Sequence, residues 1–520
     1  MSAQGRGAIA SAAALLGTAG LASAQEWAQF ARGPDRVATS EEAAPDPGTP
    51  RWVCASDPSG SPIVFSQHSG VVADGDRVYA TGRSASLFRL YAVERAGGTV
   101  AWATPIPQPV LESWSTPAVD APNGLVYVAS GRFITALGAA DGGVRWQREL
   151  DRAVVNASPL LTSDRGPADR LFITDYDAYG GNGKLYCINI DPFEPAANPF
   201  EPGEIVWSAL LGGTSGNSPA YSGGIVYVAA VSDASGVSAG LIMAFDAGAV
   251  AAPSSLWVFE NPWPAGFLGG VCVREGWVYA ASYAFNGGQL AGNLVKINAA
   301  SGLAAWSTPC NRTDATPVPF GNGLIAVSGG IQGFGSAPSL ELFRDDGSGA
   351  TLVWDSALDT WVDANQNGSL DPGEYLRLGG WCTQPLAAAG RLIVGAIPGS
   401  GAGACTDVYV VDPEAMPGSA GFIVGHFAGA GSTPALSAAE LFTIGDDGLH
   451  AFGAPPPPAC YANCDGGTIP PVLNINDFMC FSSRFASGDP WANCDGSSVA
   501  PVLNVNDFIC YAAAFAGGCP

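Results

Sequence analysis

The chain has 520 residues, 47% of them hydrophobic and only 13% charged, with 69 glycines and 40 prolines. That mixture supports a large core and contains too many turn residues for a helical bundle, so it reads as a turn-rich β protein. The net charge of −24 excludes nucleic acid, whose phosphates need lysine and arginine, and argues equally against anionic lipid surfaces.

Residues 1–24 read as a signal peptide. Arg6 precedes an apolar run from Ala8 to Leu21, and Ala22-Ser23-Ala24 offers a small-residue cleavage site before Gln25. The run is too short to span a membrane, and no later stretch has eighteen unbroken apolar residues. The expectation is an exported mature chain (extracellular, cell-surface or periplasmic) without membrane insertion. Twelve cysteines in such a chain favour disulfides over metal thiolates.

Tryptophans then recur at Trp52, Trp102, Trp146, Trp207, Trp257, Trp306 and Trp354, spaced by 50, 44, 61, 50, 49 and 48 residues. Each ends a similar stretch; "GLVYVASGRFITALGAADGGVRWQREL" from Gly124 to Leu150 is the clearest copy. It holds a β-branched run, a turn, an alternating strand, a glycine turn and a strand bearing tryptophan. A period of forty to fifty residues with about four strands is the signature of propeller blades. Tryptophans at one repeated place read as blade-to-blade packing. A seventh unit, Arg391 to about Phe427, lacks the tryptophan, and "ELFTIGDDGLHAFG" from Glu440 to Gly453 lacks a final strand. The spare strand is "TPRWVCA" from Thr49, so an N-terminal strand is expected to complete the last blade. The predicted fold is all-β, an eight-bladed propeller over residues 25–453.

The repeated "L-x-A-x-D-x-x-x-G-x-x-x-W" pattern resembles the quinoprotein-like, PQQ-repeat propellers. The segment "EWAQFARGP", Glu26 to Pro34, is similar to the N-terminal segment of exported members. In the family's alcohol dehydrogenases a vicinal cysteine pair packs on the quinone. Here Cys54, Cys187, Cys272, Cys310, Cys382 and Cys405 are scattered, and no Cys-x-x-Cys-His haem attachment occurs. PQQ is therefore not expected. The three histidines, His68, His426 and His450, lie in no catalytic motif, and no H-E-x-x-H or P-loop appears.

Between the sixth and seventh units, "DANQNGSLDPGE" from Asp363 to Glu374 fits the calcium-loop template D-x-[DN]-x-[DN]-G-x5-E. Asp363, Asn365, Asn367, Ser369, Asp371 and Glu374 are the candidate calcium residues, with Gly368 at the sharp turn. Neither flank reads as an amphipathic helix, so the loop is expected as an inter-blade connection. Neutral Asn at positions 3 and 5 implies modest affinity, about 0.1 to 1 mM.

A proline linker, residues 454–459, leads to a duplicated tail over 460–520. "YANCDGGTIPPVLNINDFMCF" from Tyr461 recurs thirty residues later as "WANCDGSSVAPVLNVNDFICY" from Trp491. The N-x-D-G, N-x-x-D, helix order resembles the calcium-loop–helix repeats of dockerins, closest to Cys-bearing tails of exported bacterial proteins. That resemblance implies calcium at Asn463, Asp465, Asn474 and Asp477, and at Asn493, Asp495, Asn504 and Asp507. It also implies a cohesin-like or cell-surface partner. Tyr461 and Trp491 stand where dockerin loops begin with Asp, and Asx turns with helix caps held by cysteines remain the other reading. The last Asp of each copy is expected to cap a helix beginning at Phe478 or Phe508.

The functional expectation is an exported non-catalytic propeller that binds or scaffolds an unknown ligand and is attached through its tail. The alternatives are a quinoprotein dehydrogenase and a secreted glycan-processing enzyme.

Overall fold

Eight antiparallel sheets form the blades of one propeller. The computed structural model describes residues 26–111, 113–178, 180–232, 239–284, 287–332, 335–397, 405–453, 462–465, 472–489, 492–494 and 501–518. The predicted signal peptide and proline linker lie outside these residues. The chain forms two compact units, one spanning Glu26–Pro455 and one holding the tail.

Blades 1 to 7 span residues 63–105, 118–149, 160–212, 220–260, 272–310, 318–355 and 386–428, and blade 8 joins 432–452 to 52–54. Burial falls outward within each blade. In blade 2 the strand Leu125–Ser130 is almost wholly buried and the outer strand Val144–Glu149 almost wholly exposed. That gradient explains why the inner strands read as unbroken β-branched runs.

The repeated tryptophan and glycine meet between neighbouring blades. Trp102, on the outer strand of blade 1, lies on Gly142 of blade 2, and its Nε1 donates to Ala139 O at 2.9 Å. A Cβ on Gly142 would stand 2.5 Å from the indole, and the residue adopts φ +67°, so only glycine fits. Trp207 and Trp257 repeat the bond to Ala249 O and Ala299 O. The spacing in the sequence therefore records the step from blade to blade.

Trp52 makes the same contact across the ring closure. Its Nε1 donates to Arg95 O at 2.9 Å, and it packs on Gly98 of blade 1. Its strand, Trp52–Cys54, pairs antiparallel with Gly448–Phe452 as the outermost strand of blade 8. The expected N-terminal closure is present. Arg51 and Arg95 both ion-pair with Glu440, which is fully buried, and so tie blade 8 to blade 1.

Residues 26–40 lace the inner strands together, which their sequence did not announce. Trp27 O accepts from Ala73 N in blade 1, Ala28 O from Val119 N in blade 2, and Gln29 Oε1 from Leu161 N in blade 3. Pro34 O accepts from Tyr221 N in blade 4, Asp35 O from Val273 N in blade 5, and Ala38 O from Ala387 N in blade 7. Thr39–Ser40 adds a parallel strand to blade 7. Arg36, fully buried, donates to Pro219 O, Phe30 O, Ser158 O and Pro159 O at 2.7 to 3.4 Å.

The expectation of disulfides is corrected in the propeller. Cys54, Cys187, Cys272, Cys310, Cys382 and Cys405 are free and buried. They pack as small apolar side chains, and burial pushes their thiols up in pKa, well clear of the thiolate form.

In the tail, Cys464–Cys480 and Cys494–Cys510 are disulfides, each linking a loop to the helix that follows it. The helices are α1, Ile475–Ser487, and α2, Val505–Gly517. The caps differ from expectation. Asn474 and Asn504 are the N-caps, and Asp477 and Asp507 sit at the third helical position of a capping box. The helix starts three residues before the predicted phenylalanine because the asparagine side chain and the aspartate satisfy the first backbone donors reciprocally. Phe481 of α1 stacks on Tyr511 of α2 with ring centroids 4.0 Å apart.

Candidate functional site

The inner strands of most blades open with a residue of the type Ser-Pro, Thr-Pro or Gln-Pro, and these build a belt around the axis. Gly70 N donates to Thr116 Oγ1, Thr116 N to Ser158 Oγ, and Ser158 N to Ser218 Oγ, at 2.9 to 3.0 Å. Thr316 N donates to Gln384 Oε1 at 2.9 Å, and Thr433 Oγ1 to His68 O at 3.0 Å. Each side chain satisfies a backbone group of the neighbouring blade, so the belt couples blades at the axis.

Three residues before five of these prolines stand residues that line the axial cavity: Trp114, Asn156, Gly216, Asp314 and Cys382. Phe30, from the lacing segment, lines the same cavity, and that segment bonds to the inner strands beyond the belt. Residues 26–40 thus border the axial cavity through Phe30, and an aromatic mouth borders it through Trp114. Trp114 and Trp381 meet edge to face at 5.7 Å, Tyr283 lies 6.1 Å from Trp381, and His68 lies 5.9 Å from Trp114. His68 holds φ +67°, a strained backbone for a residue with a Cβ. The other two histidines are remote from this mouth in role: His426 stacks on Tyr409 in blade 7, and His450 is buried in blade 8 against Asp447.

Asp314 is the unusual group here. It is half-buried, its Oδ1 is shielded from solvent, and no hydrogen-bond donor reaches that oxygen. Burial raises its carboxyl to about 8. A folded-state value above the unfolded one means that the native protein binds the extra proton. Stability should therefore fall as pH rises from about 4 to about 8 and level off above that. Asp314→Asn is expected to remove this contribution and to raise the denaturation midpoint at pH 8 more than at pH 4. Equal shifts at both pH values would refute the assignment.

The cavity enclosed along the axis measures about 20 Å³, room for roughly one water. Sequence reading missed this end of the axis because Trp114 and Trp381 fall outside the blade period. The available signal was their place ahead of Ser-Thr-Pro and Cys-Thr-Gln-Pro.

The residues 363–374 form an exposed loop between blades 6 and 7, as expected. Its side chains turn inward on its own backbone. Asp363 Oδ2 accepts from Gly368 N at 2.9 Å, Glu374 Oε1 from Ala364 N at 2.9 Å, and Asn365 Oδ1 from Asn367 N at 3.0 Å. Ser369 N donates to Asn367 Oδ1 at 2.7 Å. Asn365 and Asn367 both donate to Asp371 Oδ2, which lowers that carboxyl's pKa. Gly368 takes φ +73°, the sharp turn the template needs. The six candidates are thus gathered around one short loop. Among the described residues, no group of three or more His, Cys, Asp and Glu side chains is arranged to hold a metal; two of this loop's oxygen donors are amides.

In the tail, Asp477 Oδ2 accepts from Asn474 N at 2.8 Å and its Oδ1 from Asp465 N at 3.2 Å, and Asp507 Oδ2 accepts from Asn504 N at 2.8 Å. Asp477 and Asp507 are buried. Asn463 and Asn493 each precede a disulfide cysteine, and Asp495 lies outside the described residues.

No curated protein matches the chain. Several solved structures share its fold. A europium-containing methanol dehydrogenase is 11% identical, with 82% of this chain and 89% of that one covered at a TM-score of 0.53. The quinohemoprotein alcohol dehydrogenase from Comamonas testosteroni is 13% identical, with 82% and 77% covered at 0.52. The quinohemoprotein alcohol dehydrogenase ADHIIG from Pseudomonas putida HK5 is 12% identical, with 82% and 76% covered at 0.50. At these identities the likeness is one of fold alone. The chain is an eight-bladed β-propeller whose residues 42–191 match the PQQ-repeat family described as outer membrane protein assembly factor BamB.

Proposed function

We propose that this protein is an exported, non-catalytic binding propeller, stiffened by calcium in the loop 363–374 and attached to a partner protein or cell surface through its dockerin-like tail. The observation that carries the reading is the aromatic mouth beside a small axial cavity. Half-buried Trp114 and Trp381 offer recognition surface, while the cavity by the belt leaves room for about one water. A dehydrogenase built around an axial quinone needs that space. Among the described residues no helix is long and apolar enough to cross a membrane. The two disulfides among the described residues of the tail agree with an oxidising compartment.

The functional reading is tested by adding PQQ and calcium to the purified protein and following cofactor absorbance and alcohol oxidation. Stoichiometric quinone uptake with turnover would overturn it. The calcium part has its own test. Chelation is expected to lower the melting temperature, and Glu374→Gln should remove most of that sensitivity, because Glu374 closes the loop on Ala364 and Asn365. Melting that ignores the chelator would remove calcium from the account.

A further inference from the structure

Beside the mouth, between blades 1 and 2, lies a groove of about 450 Å³, within the size range of small-molecule sites. Blade 1 builds one wall. Its middle strands, Arg77–Ser84 and Leu87–Glu94, have eight residues each, against six each in blade 2, and the extra strand Ile63–Phe65 pairs with the far end of the first. Val64, Arg83 and Phe88 stand in register across the three strands and so share one face. The connection into blade 2 builds the other wall, with Gln108, Leu111 and Trp114.

Arg83 sets the chemistry. It lines this groove, is exposed, and has neither ion pair nor hydrogen bond among the described residues, although acidic residues outnumber basic ones 46 to 22 in the chain. The arginines around it are engaged: Arg77 with Glu94, Arg89 with Ser84 O, and Arg95 with Glu440. A planar guanidinium held open in a recess matches a carboxylate in bidentate fashion. Gln67 and Gln108 bring amides that donate and accept together, which suits hydroxyl groups. Half-buried Trp114, with Leu111 64% exposed and Val64 56% exposed, supplies apolar surface for a ring. None of these side chains belongs to the axial belt, and no other blade carries the added strand at this place among the described residues.

We propose that this groove binds a carboxylated sugar of one or two rings, a uronic acid or a short uronate oligosaccharide. The carboxylate meets Arg83, the hydroxyls meet Gln67 and Gln108, and the ring lies against Trp114. This names a ligand class for the binding propeller and rests on that reading.

The test is calorimetric titration of the full chain with D-galacturonate, D-glucuronate and digalacturonate, and with galactose, glucose and acetate as comparisons. The acid sugars are expected to bind saturably, and the neutral sugars and acetate at least about tenfold more weakly. Arg83→Gln should bring galacturonate down to the level of galactose without changing the melting temperature, since Arg83 is exposed and unpartnered. Trp114→Ala should weaken acidic and neutral sugars alike. Failure of all three acid sugars to bind, acetate binding as well as galacturonate, or an Arg83→Gln protein with undiminished affinity would each overturn the assignment, while leaving the non-catalytic reading intact. Release of new reducing ends from polygalacturonate would do the reverse: it would overturn the non-catalytic reading and support the groove as a uronate site.

Discussion

Deletion of residues 49–56 is expected to destabilise the propeller by about 5 kcal/mol or more, far beyond what eight residues at an edge suggest. The segment removes a whole ladder strand, Trp52–Cys54, and a tryptophan only 8% exposed. It also removes Arg51, which donates to Gly453 O at 2.8 Å and to Arg95 O at 2.7 Å and pairs with Glu440. Glu440 keeps Arg95, so the buried carboxylate is not stranded, and the loss is dominated by packing and by the bared strand Gly448–Phe452. That bare strand is an open template for other chains, so the deletion should also aggregate on heating. Urea denaturation measures the loss, with Trp52→Ala expected to fall between wild type and deletion. A deletion protein with the wild-type midpoint would mean that blade 8 does not depend on its borrowed strand.

Replacing Arg36 by Met should lower stability by about 3–5 kcal/mol. Met conserves much of the volume and supplies no donor, so the carbonyls of Phe30, Ser158, Pro159 and Pro219 lose their partner inside the protein. The effect should exceed that of any single change in the exposed outer strands, because Arg36 bridges the lacing segment to blades 3 and 4. Arg36→Lys keeps the charge and loses the fork, so it should fall in between. Guanidinium denaturation of the three proteins checks the order; a Met variant as stable as the Lys variant would show that the donors matter little.

The blade period was legible because seven of the eight blades set a tryptophan at the same place on the outer strand, four of them against a glycine of the next blade. The closing strand was legible because the count of such tryptophans left Trp52 without a blade of its own. The belt was not, since Thr116, Ser158 and Ser218 bond to residues 42 to 60 positions away and each Ser-Pro or Thr-Pro reads locally as a turn. The lacing by residues 26–40 was hidden for a similar reason. Its bonds run through backbone carbonyls, which carry no side-chain signature, and only Arg36 and Gln29 mark it in the sequence. The cysteines misled because composition reports the compartment and not which thiols meet. Cys464, Cys480, Cys494 and Cys510 of the tail repeat with the helices and pair, while those of the propeller are dispersed through its blades. In the tail, the N-x-x-D spacing was read with the wrong member as cap. Asn474 and Asp477 share the task, and the asparagine comes first.

Trp52–Cys54 has no strand partner until residues 448–452 have been made. Nearly four hundred residues of synthesis separate the two halves of one blade. A chain cut short anywhere in that interval keeps a loose end at both termini, however well its middle blades have folded. The last strand to gain its neighbour is among the first to leave the ribosome, so the ring itself tests whether synthesis has passed residue 452: only such a chain can hide both edges of blade 8, and proteases can sort the rest.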